Sequence, residues 1–336
     1  MPTQEIRQRV NRRLEELYRR HLSLHDDEVV GYYNSGIGYN KPEEIVEAEQ
    51  KPFAISLATT DGEVFHAGDH DRAFALQSIS KVFVYGLALE ACGRDRVMER
   101  VGVEPSGDAF NSIVFDERND RPYNPMVNAG ALATTALVEG VETTEQALER
   151  ILGTIRRYAG NQSLEVDEDT FEAEMRTADR NRATAYLMRS DGMLAGDIEA
   201  TLALYLRQCS ISVTCEDLAM MAATLANGGA NSATGEQVLS PRYVRDVLSV
   251  MHTCGMYDFA GQWAYQIGIP AKSGVSGGII AVVPGKLGIG VFSPGLDAYG
   301  NSVRGTAVCE EISERLGLHI FADKAEDALL GSARSF

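Results

Sequence analysis

The 336-residue chain is 44% hydrophobic, enough to bury a sizeable core as one large domain or two intertwined ones. A net charge of −17 disfavours nucleic acid and anionic membranes as partners, and no apolar run approaches the roughly 18 residues of a membrane-spanning helix. Met1–Leu22, rich in arginine and glutamate, lacks the apolar stretch of a secretory signal, and the odd number of cysteines without C-x-x-C spacing points to reduced thiols in a cytoplasm.

Thr3–Leu22 is predicted to be an amphipathic helix, with Ile6, Val10, Leu14, Leu17 and Tyr18 on one stripe. Residues 53–58 and 63–67 read as strands joined by a hairpin turn at Thr60-Asp61-Gly62. Phe74–Cys92 reads as a buried helix closed by Gly93, and further helices are expected over 131–158, 170–189, 194–209 and 214–227. The last of these ends in the turn signal Asn227-Gly228-Gly229. Another helix follows Ser240-Pro241, a second hairpin spans 278–284 and 287–293, and a final helix covers 302–316. Residues 104–130 and 159–168 read as loops. Strands at both ends with helices between them predict an α+β fold, its sheet built from both terminal segments and a helical subdomain inserted. The expected division is an N-terminal helix (1–25), one catalytic domain (26–320) and a tail (321–336). Within the domain, the helical part covers about 95–250 and the sheet part 50–70 and 262–320.

Lysine is scarce here: only six occur among 31 cationic side chains, and two of them lie in serine-bearing motifs. Guanidinium stays charged, whereas a buried ammonium can lose its proton and act as a base. In Ser78-Ile79-Ser80-Lys81, helical spacing puts the hydroxyl and the amine on one face, within an apolar surround. Lys272-Ser273-Gly274 follows about 190 residues later. That pair, in that order, marks the serine acyl-transfer fold of β-lactamases and penicillin-binding proteins. The third motif of that group is absent: Ser190-Asp191-Gly192 lacks the asparagine, while Tyr32-Tyr33-Asn34 and Tyr299-Gly300-Asn301 fall outside the serine-to-lysine interval. The six histidines show no catalytic metal spacing, so no metal is expected.

Longer strings carry a closer resemblance. Gln77–Lys81, Asn124-Pro125-Met126-Val127-Asn128-Ala129-Gly130-Ala131, Met256-Tyr257-Asp258-Phe259 and Ala271–Gly278 occur in order along the chain. Together with Glu104–Gly107, Met221–Gly229 and Asn301-Ser302, they resemble the glutaminase family. The resemblance implies a β-lactamase-like fold, hydrolysis of L-glutamine to L-glutamate and ammonia, no cofactor, and a homo-oligomer (dimer or tetramer). It implies Ser78 as nucleophile, Lys81 as its base and Tyr257 as a proton relay beside them. The backbone N–H groups of Ser78 and Val275 would form the oxyanion hole. Asn128, Glu174, Asn181 and Tyr205 would hold the amino-acid end of glutamine, with Tyr32, or else Tyr33 or Tyr39, as a further contact. Glu172 competes with Glu174, and Lys272 is left with either a direct role or a structural one.

The residue types suit that ligand, because an α-ammonium asks for one acid and an α-carboxylate for neutral donors. Taken singly, each residue has a plainer reading. Ser78 and Lys81 would be ordinary helix side chains, Glu174 and Asn181 solvated surface, Asn128 a helix cap, and Tyr205 and Tyr257 packing residues. A related serine hydrolase acting on β-lactams or peptides is the alternative activity, disfavoured by the missing middle motif.

Overall fold

The computed structural model describes residues 4–24, 52–109, 111–140 and 143–322. Among the described residues, β3 (Phe74–Ala75) with β6 (Ser212–Val213) and β4 (Phe115–Asp116) with β5 (Arg121–Pro122) form two short pairs, and five further strands form one antiparallel sheet. It joins an early hairpin, β1 (Ala54–Thr59) and β2 (Val64–Gly68), to the late strands β7 (Ala271–Ser273), β8 (Gly278–Val283) and β9 (Leu287–Phe292), in the order β2-β1-β9-β8-β7. Strand β1 pairs with β9, from Ala54 opposite Phe292 to Thr59 opposite Leu287, and this pairing closes the sheet between the two halves of the chain.

One face of the sheet is covered by α1 (Gln4–Leu22) and the last helix, Val303–Leu316. Leu14 and Leu17 of the first pack with Phe65, Ile55, Val291 and Val308. The other face takes the helix Cys215–Ala226, which is buried along almost its whole length between the sheet and the helical subdomain. Gly288 and Gly290 on β9 permit this approach. A Cβ at Gly288 would lie 2.1 Å from the Ala223 nitrogen, and one at Gly290 would lie 2.6 Å from the Cys215 carbonyl. Beyond this helix, a second core gathers Phe83, Leu132, Ile155, Leu202 and Met221.

Several expected helices are interrupted, each for a local reason. The predicted helix over 74–92 is instead a strand pair, a 3-10 turn and a helix. Phe74–Ala75 pairs with Ser212–Val213, Gln77–Ile79 forms the 3-10 turn, and the helix proper is Ser80–Cys92. Gln77 has φ +52°, which breaks a continuous helix, and the Leu76 N–H is taken by the Ile211 carbonyl at 2.8 Å. The span 131–158 divides into Asn128–Glu139 and Thr144–Ala159. Gly140 (φ +57°) ends the first, and a capping box between Thr143 and Gln146 starts the second. The span 170–189 divides into Glu168–Arg176 and Asp179–Ser190, and the helix expected from 194 begins at Ile198 behind its cap, Asp197. The loop 104–130 holds a small hairpin, Phe115–Asp116 with Arg121–Pro122. Unforeseen elements are the helices Arg94–Arg100 and Ala260–Gln266, whereas the short edge strand β7 falls within the expected sheet part.

Close packing at Gly288 makes a specific demand. Gly288→Ala should lower unfolding stability by about 1–3 kcal/mol, whereas Gly153→Ala, helical and with nothing within 4 Å of the added Cβ, should be neutral or raise it by up to about 1 kcal/mol. Urea denaturation of the two variants checks this contrast.

Candidate active site

The 3-10 turn presents Ser78 at its centre, and Lys81 follows in the first turn of the helix Ser80–Cys92. Both side chains are buried, Lys81 to 0% exposure. Lys81 Nζ lies 3.0 Å from Ser78 Oγ and 2.7 Å from Asn128 Oδ1. The geometry expected from an i, i+3 helical pair is present, although the serine stands on the tighter turn that precedes the helix. Desolvation lowers the Lys81 pKa from the usual lysine value to about 8, opposed weakly by the nearby Cys209.

Tyr257 approaches from the opposite side, on a second 3-10 turn (Tyr257–Phe259) with φ +57°. Its hydroxyl is hydrogen-bonded to Ser78 and donates to the Ser273 carbonyl at 3.2 Å. Burial pushes its pKa well up, so it stays a protonated phenol at neutral pH. Lys272, also fully buried, donates to the same carbonyl at 2.6 Å and sits 3.7 Å over the Tyr257 ring. Desolvation and the neighbouring Lys81 hold its pKa well below the usual value. Lys272 thus bonds the Ser273 carbonyl rather than Ser78. The strand β7 that carries it is followed by Gly274, where a Cβ would meet the Leu76 carbonyl at 3.1 Å and Gln77 Cβ at 3.3 Å. Glycine there lets 274–275 lie against the turn that bears Ser78. The Val275 N–H donates to no acceptor among the described residues.

Four helices of the inserted subdomain supply the remaining candidates. Asn128 opens the helix Asn128–Glu139, yet its side chain does not cap it: Oδ1 accepts from Lys81 and from Tyr205 (3.2 Å), and Nδ2 donates to Asn181 Oδ1 (2.8 Å). Tyr205 is buried on Ile198–Cys209, and burial raises its pKa well above that of a free phenol. Asn181 is half-buried on Asp179–Ser190. Glu174, on Glu168–Arg176, is 8% exposed and accepts from Gln77 Nε2 at 3.1 Å, which overturns its plainer reading as a solvated side chain. Glu172 is exposed and faces Arg176 instead. Ser78, Lys81, Tyr257, Asn128, Asn181 and Tyr205 are therefore one hydrogen-bonded chain, and Glu174 joins it through the residue before Ser78. Tyr32, Tyr33 and Tyr39 lie outside the described residues.

Two contributors escaped sequence reasoning. Gln77 links the serine turn to Glu174, and Asn301 Oδ1 accepts from Ser273 Oγ at 2.6 Å behind β7. Both stand inside quoted motif strings, but nothing in a string reveals a positive φ or a buried partner. Metal-ligating side chains do not gather here. Among the described residues, the one cluster of three is His66, His70 and Glu216, on another part of the sheet.

Known proteins share this arrangement of sequence and fold. The pattern of the family described as Glutaminase matches residues 39–321. A glutaminase of Trichormus variabilis is 58% identical over 286 residues, 85% of either chain. Among solved structures, a probable glutaminase designated ybaS superposes with a TM-score of 0.84 at 37% identity, covering 96% of this chain and all of that one. The protein Mglu, solved in its glutamate form, gives 0.84 at 39% identity over 95% of this chain and 72% of that chain.

Burying Lys81 has a signature in stability. Its folded pKa of about 8 lies below the unfolded value of about 10.4, so between these values the unfolded chain binds more protons. Stability therefore gains with pH across that window. Lys81→Met should remove a rise of up to about 3 kcal/mol between pH 8 and pH 10 relative to the parent chain, as read from denaturation midpoints over the pH series.

Proposed function

The chain belongs to the glutaminase family, and on that footing we propose that it hydrolyses L-glutamine to L-glutamate and ammonia through an acyl-enzyme on Ser78. Its α+β architecture is β-lactamase-like. The observation that carries the assignment of residues is the 3.0 Å contact between Ser78 Oγ and an amine buried to 0% exposure.

In this reading neutral Lys81 takes the Ser78 proton as Oγ bonds to the side-chain amide carbon of glutamine. The oxyanion is received by the N–H groups of Ser78 and Val275, each of which is worth about 2.7–4 kcal/mol of barrier in comparable sites. Lys81, now an ammonium, returns the proton to the departing nitrogen, the C–N bond breaks and ammonia leaves. Water then gives a proton to Lys81 and attacks the ester carbon. Glutamate departs as the proton passes back to Ser78. Tyr257, whose own proton is held by the Ser273 carbonyl, accepts from Ser78, orients the hydroxyl and relays the proton.

The amino-acid end is held by the subdomain. Glu174 receives the α-ammonium, Asn128 and Asn181 present donors to the α-carboxylate, and Tyr205 joins them when its hydroxyl turns from Asn128 Oδ1 to the ligand. Tyr32 is proposed as the further contact, with Tyr33 and Tyr39 as its competitors. Asn128 Oδ1 is already engaged by Lys81 and Tyr205, so its amide can offer the ligand only an N–H. This couples the clamp to the base. We further take residues 26–320 as a single catalytic domain and the enzyme as a cytoplasmic homo-oligomer, in keeping with the family. No described helix is long and apolar enough to cross a membrane.

Ser78→Ala should cut ammonia release from glutamine by at least about a thousandfold; substantial residual turnover would sink the assignment. Because the base acts only when neutral, kcat/KM should rise about fivefold from pH 7 to pH 8 and level off above pH 9, with Lys81→Arg abolishing the rise along with the activity. Glu174→Gln should raise KM at least about tenfold, read from initial rates over a glutamine series.

A further inference from the structure

Two histidines and a glutamate meet away from the catalytic residues, where the sheet's outer strand faces the helix Cys215–Ala226. Alternation along β2 sends Phe65 and Ala67 into the core beneath α1, while Val64 and His66 face that helix; Val64 packs on Ala219, Met220 and Ala223. Gly68 (φ +76°) turns the chain, and two residues later His70 returns beside His66. The two imidazoles stack with centroids 3.5 Å apart and planes 13° apart. Glu216, in the first turn of the helix, brings Oε1 to 2.9 Å from His70 Nδ1 and into direct contact with His66 Nδ1.

The backbone beneath them is tied down on both sides. The His70 carbonyl accepts from the Cys215 N–H at 3.1 Å, the Asp69 N–H donates to the Phe53 carbonyl at 2.9 Å, and Thr214 with Asp217 forms a capping box at the helix start. The three ligand atoms lie within 4.8 Å of one another. Ligand atoms around a tetrahedral ion with bonds of about 2.0–2.1 Å stand a little over 3 Å apart, so rotamer adjustments suffice to admit one. Two imidazole nitrogens and one carboxylate suit zinc-like first-row dications and not magnesium or calcium, which take oxygen. The net charge of −17 favours a dication at such a place.

We propose that His66, His70 and Glu216 bind one zinc-class divalent ion, which clips the outer strand of the sheet to the helix Cys215–Ala226. The ion's role is structural. The three ligands stand on β2, the turn after it and the start of this helix, whereas β7, next to Ser78, forms the other edge of the sheet. The histidine spacing, one on a strand and one past a turn with a carboxylate some 150 residues on, matches no linear ligand motif.

The test is titration of tag-free, chelator-treated full-length protein with Zn2+ by calorimetry, with melting followed in parallel. One Zn2+ per chain and a saturable rise in Tm are expected. His66→Gln, His70→Ala and Glu216→Gln should each weaken binding at least tenfold and abolish the Tm rise, with kcat and KM of the metal-free variants unchanged. Mg2+ should not compete. His66→Gln and Glu216→Gln alter exposed or partly exposed side chains of similar size, so loss of binding in them cannot be ascribed to misfolding. Absence of Zn2+ binding, binding undiminished in the variants, or equal binding of Mg2+ would each overturn the proposal and leave the cluster as two stacked imidazoles beside a carboxylate.

Discussion

An ammonium has been taken out of water and given a hydroxyl and an amide oxygen in its place. That exchange, at Lys81, governs the rest of the site. Had a carboxylate stood where Asn128 Oδ1 stands, opposite charge would fix the proton on the lysine and Ser78 would face an acid. A neutral oxygen satisfies the donor while holding the proton loosely, and burial then brings the pKa to about 8. Lys272, buried nearby, has its own pKa held well below the usual lysine value, by desolvation first and then by Lys81. The site holds the ionisation of its base close to neutrality without a metal ligand among the residues that touch it.

This arrangement requires an interior dry enough to desolvate a lysine, and the architecture supplies it from three directions. The serine turn comes from the start of the helix Ser80–Cys92, Tyr257 and β7 from the late sheet segment, and Asn128, Tyr205, Asn181 and Glu174 from the inserted helices. Because β1 pairs with β9, residues more than 200 positions apart are fixed relative to one another. The helix Cys215–Ala226, packed against Gly288 and Gly290 of β9, locks the sheet to the subdomain. The proposed nucleophile and base and the proposed substrate clamp thereby come from different parts of the chain and meet where Lys81 bonds Asn128.

Much of this was legible in the sequence, and the limits are physical. The two hairpins could be read because alternation and turn residues are local signals: Thr60-Asp61-Gly62 needs only its own φ preferences, and Gly62 indeed has φ +90°. Ser78 with Lys81 was found through residue scarcity and spacing, Asn128 and Tyr257 through strings. The merged helices failed for different reasons: the break within 131–158 carries local marks, Gly140 and the Thr143–Gln146 capping box, whereas that within 74–92 carries none. An apolar stretch such as 74–92 carries no internal sign of where the backbone breaks when both halves are buried, and the break at Gln77 is enforced by the partner strand at Ile211 and Val213. Glu174 shows the complementary failure. Its neighbours are acidic and exposed, and only the distant Gln77 amide reveals that this one carboxylate turns inward.

Backbone strain marks the same place from another side. Among the described residues, Gln77, Asp120 and Tyr257 are the non-glycine positions with positive φ, and two of the three flank the serine. Such conformations cost of order 1–3 kcal/mol each and persist only where the surroundings over-determine them. Here they do. Gln77 is held by Glu174 on one side and by the close passage of Gly274 on the other, while Tyr257 is held by Ser78 and the Ser273 carbonyl. Relaxing either residue would turn the serine hydroxyl away from Lys81 Nζ or the phenol away from Ser78. The fold therefore maintains the 3.0 Å contact against local preference, using packing on both walls. A hydroxyl held by strain in this way needs no reorganisation when the proton moves, which is what electrostatic preorganisation demands of a nucleophile.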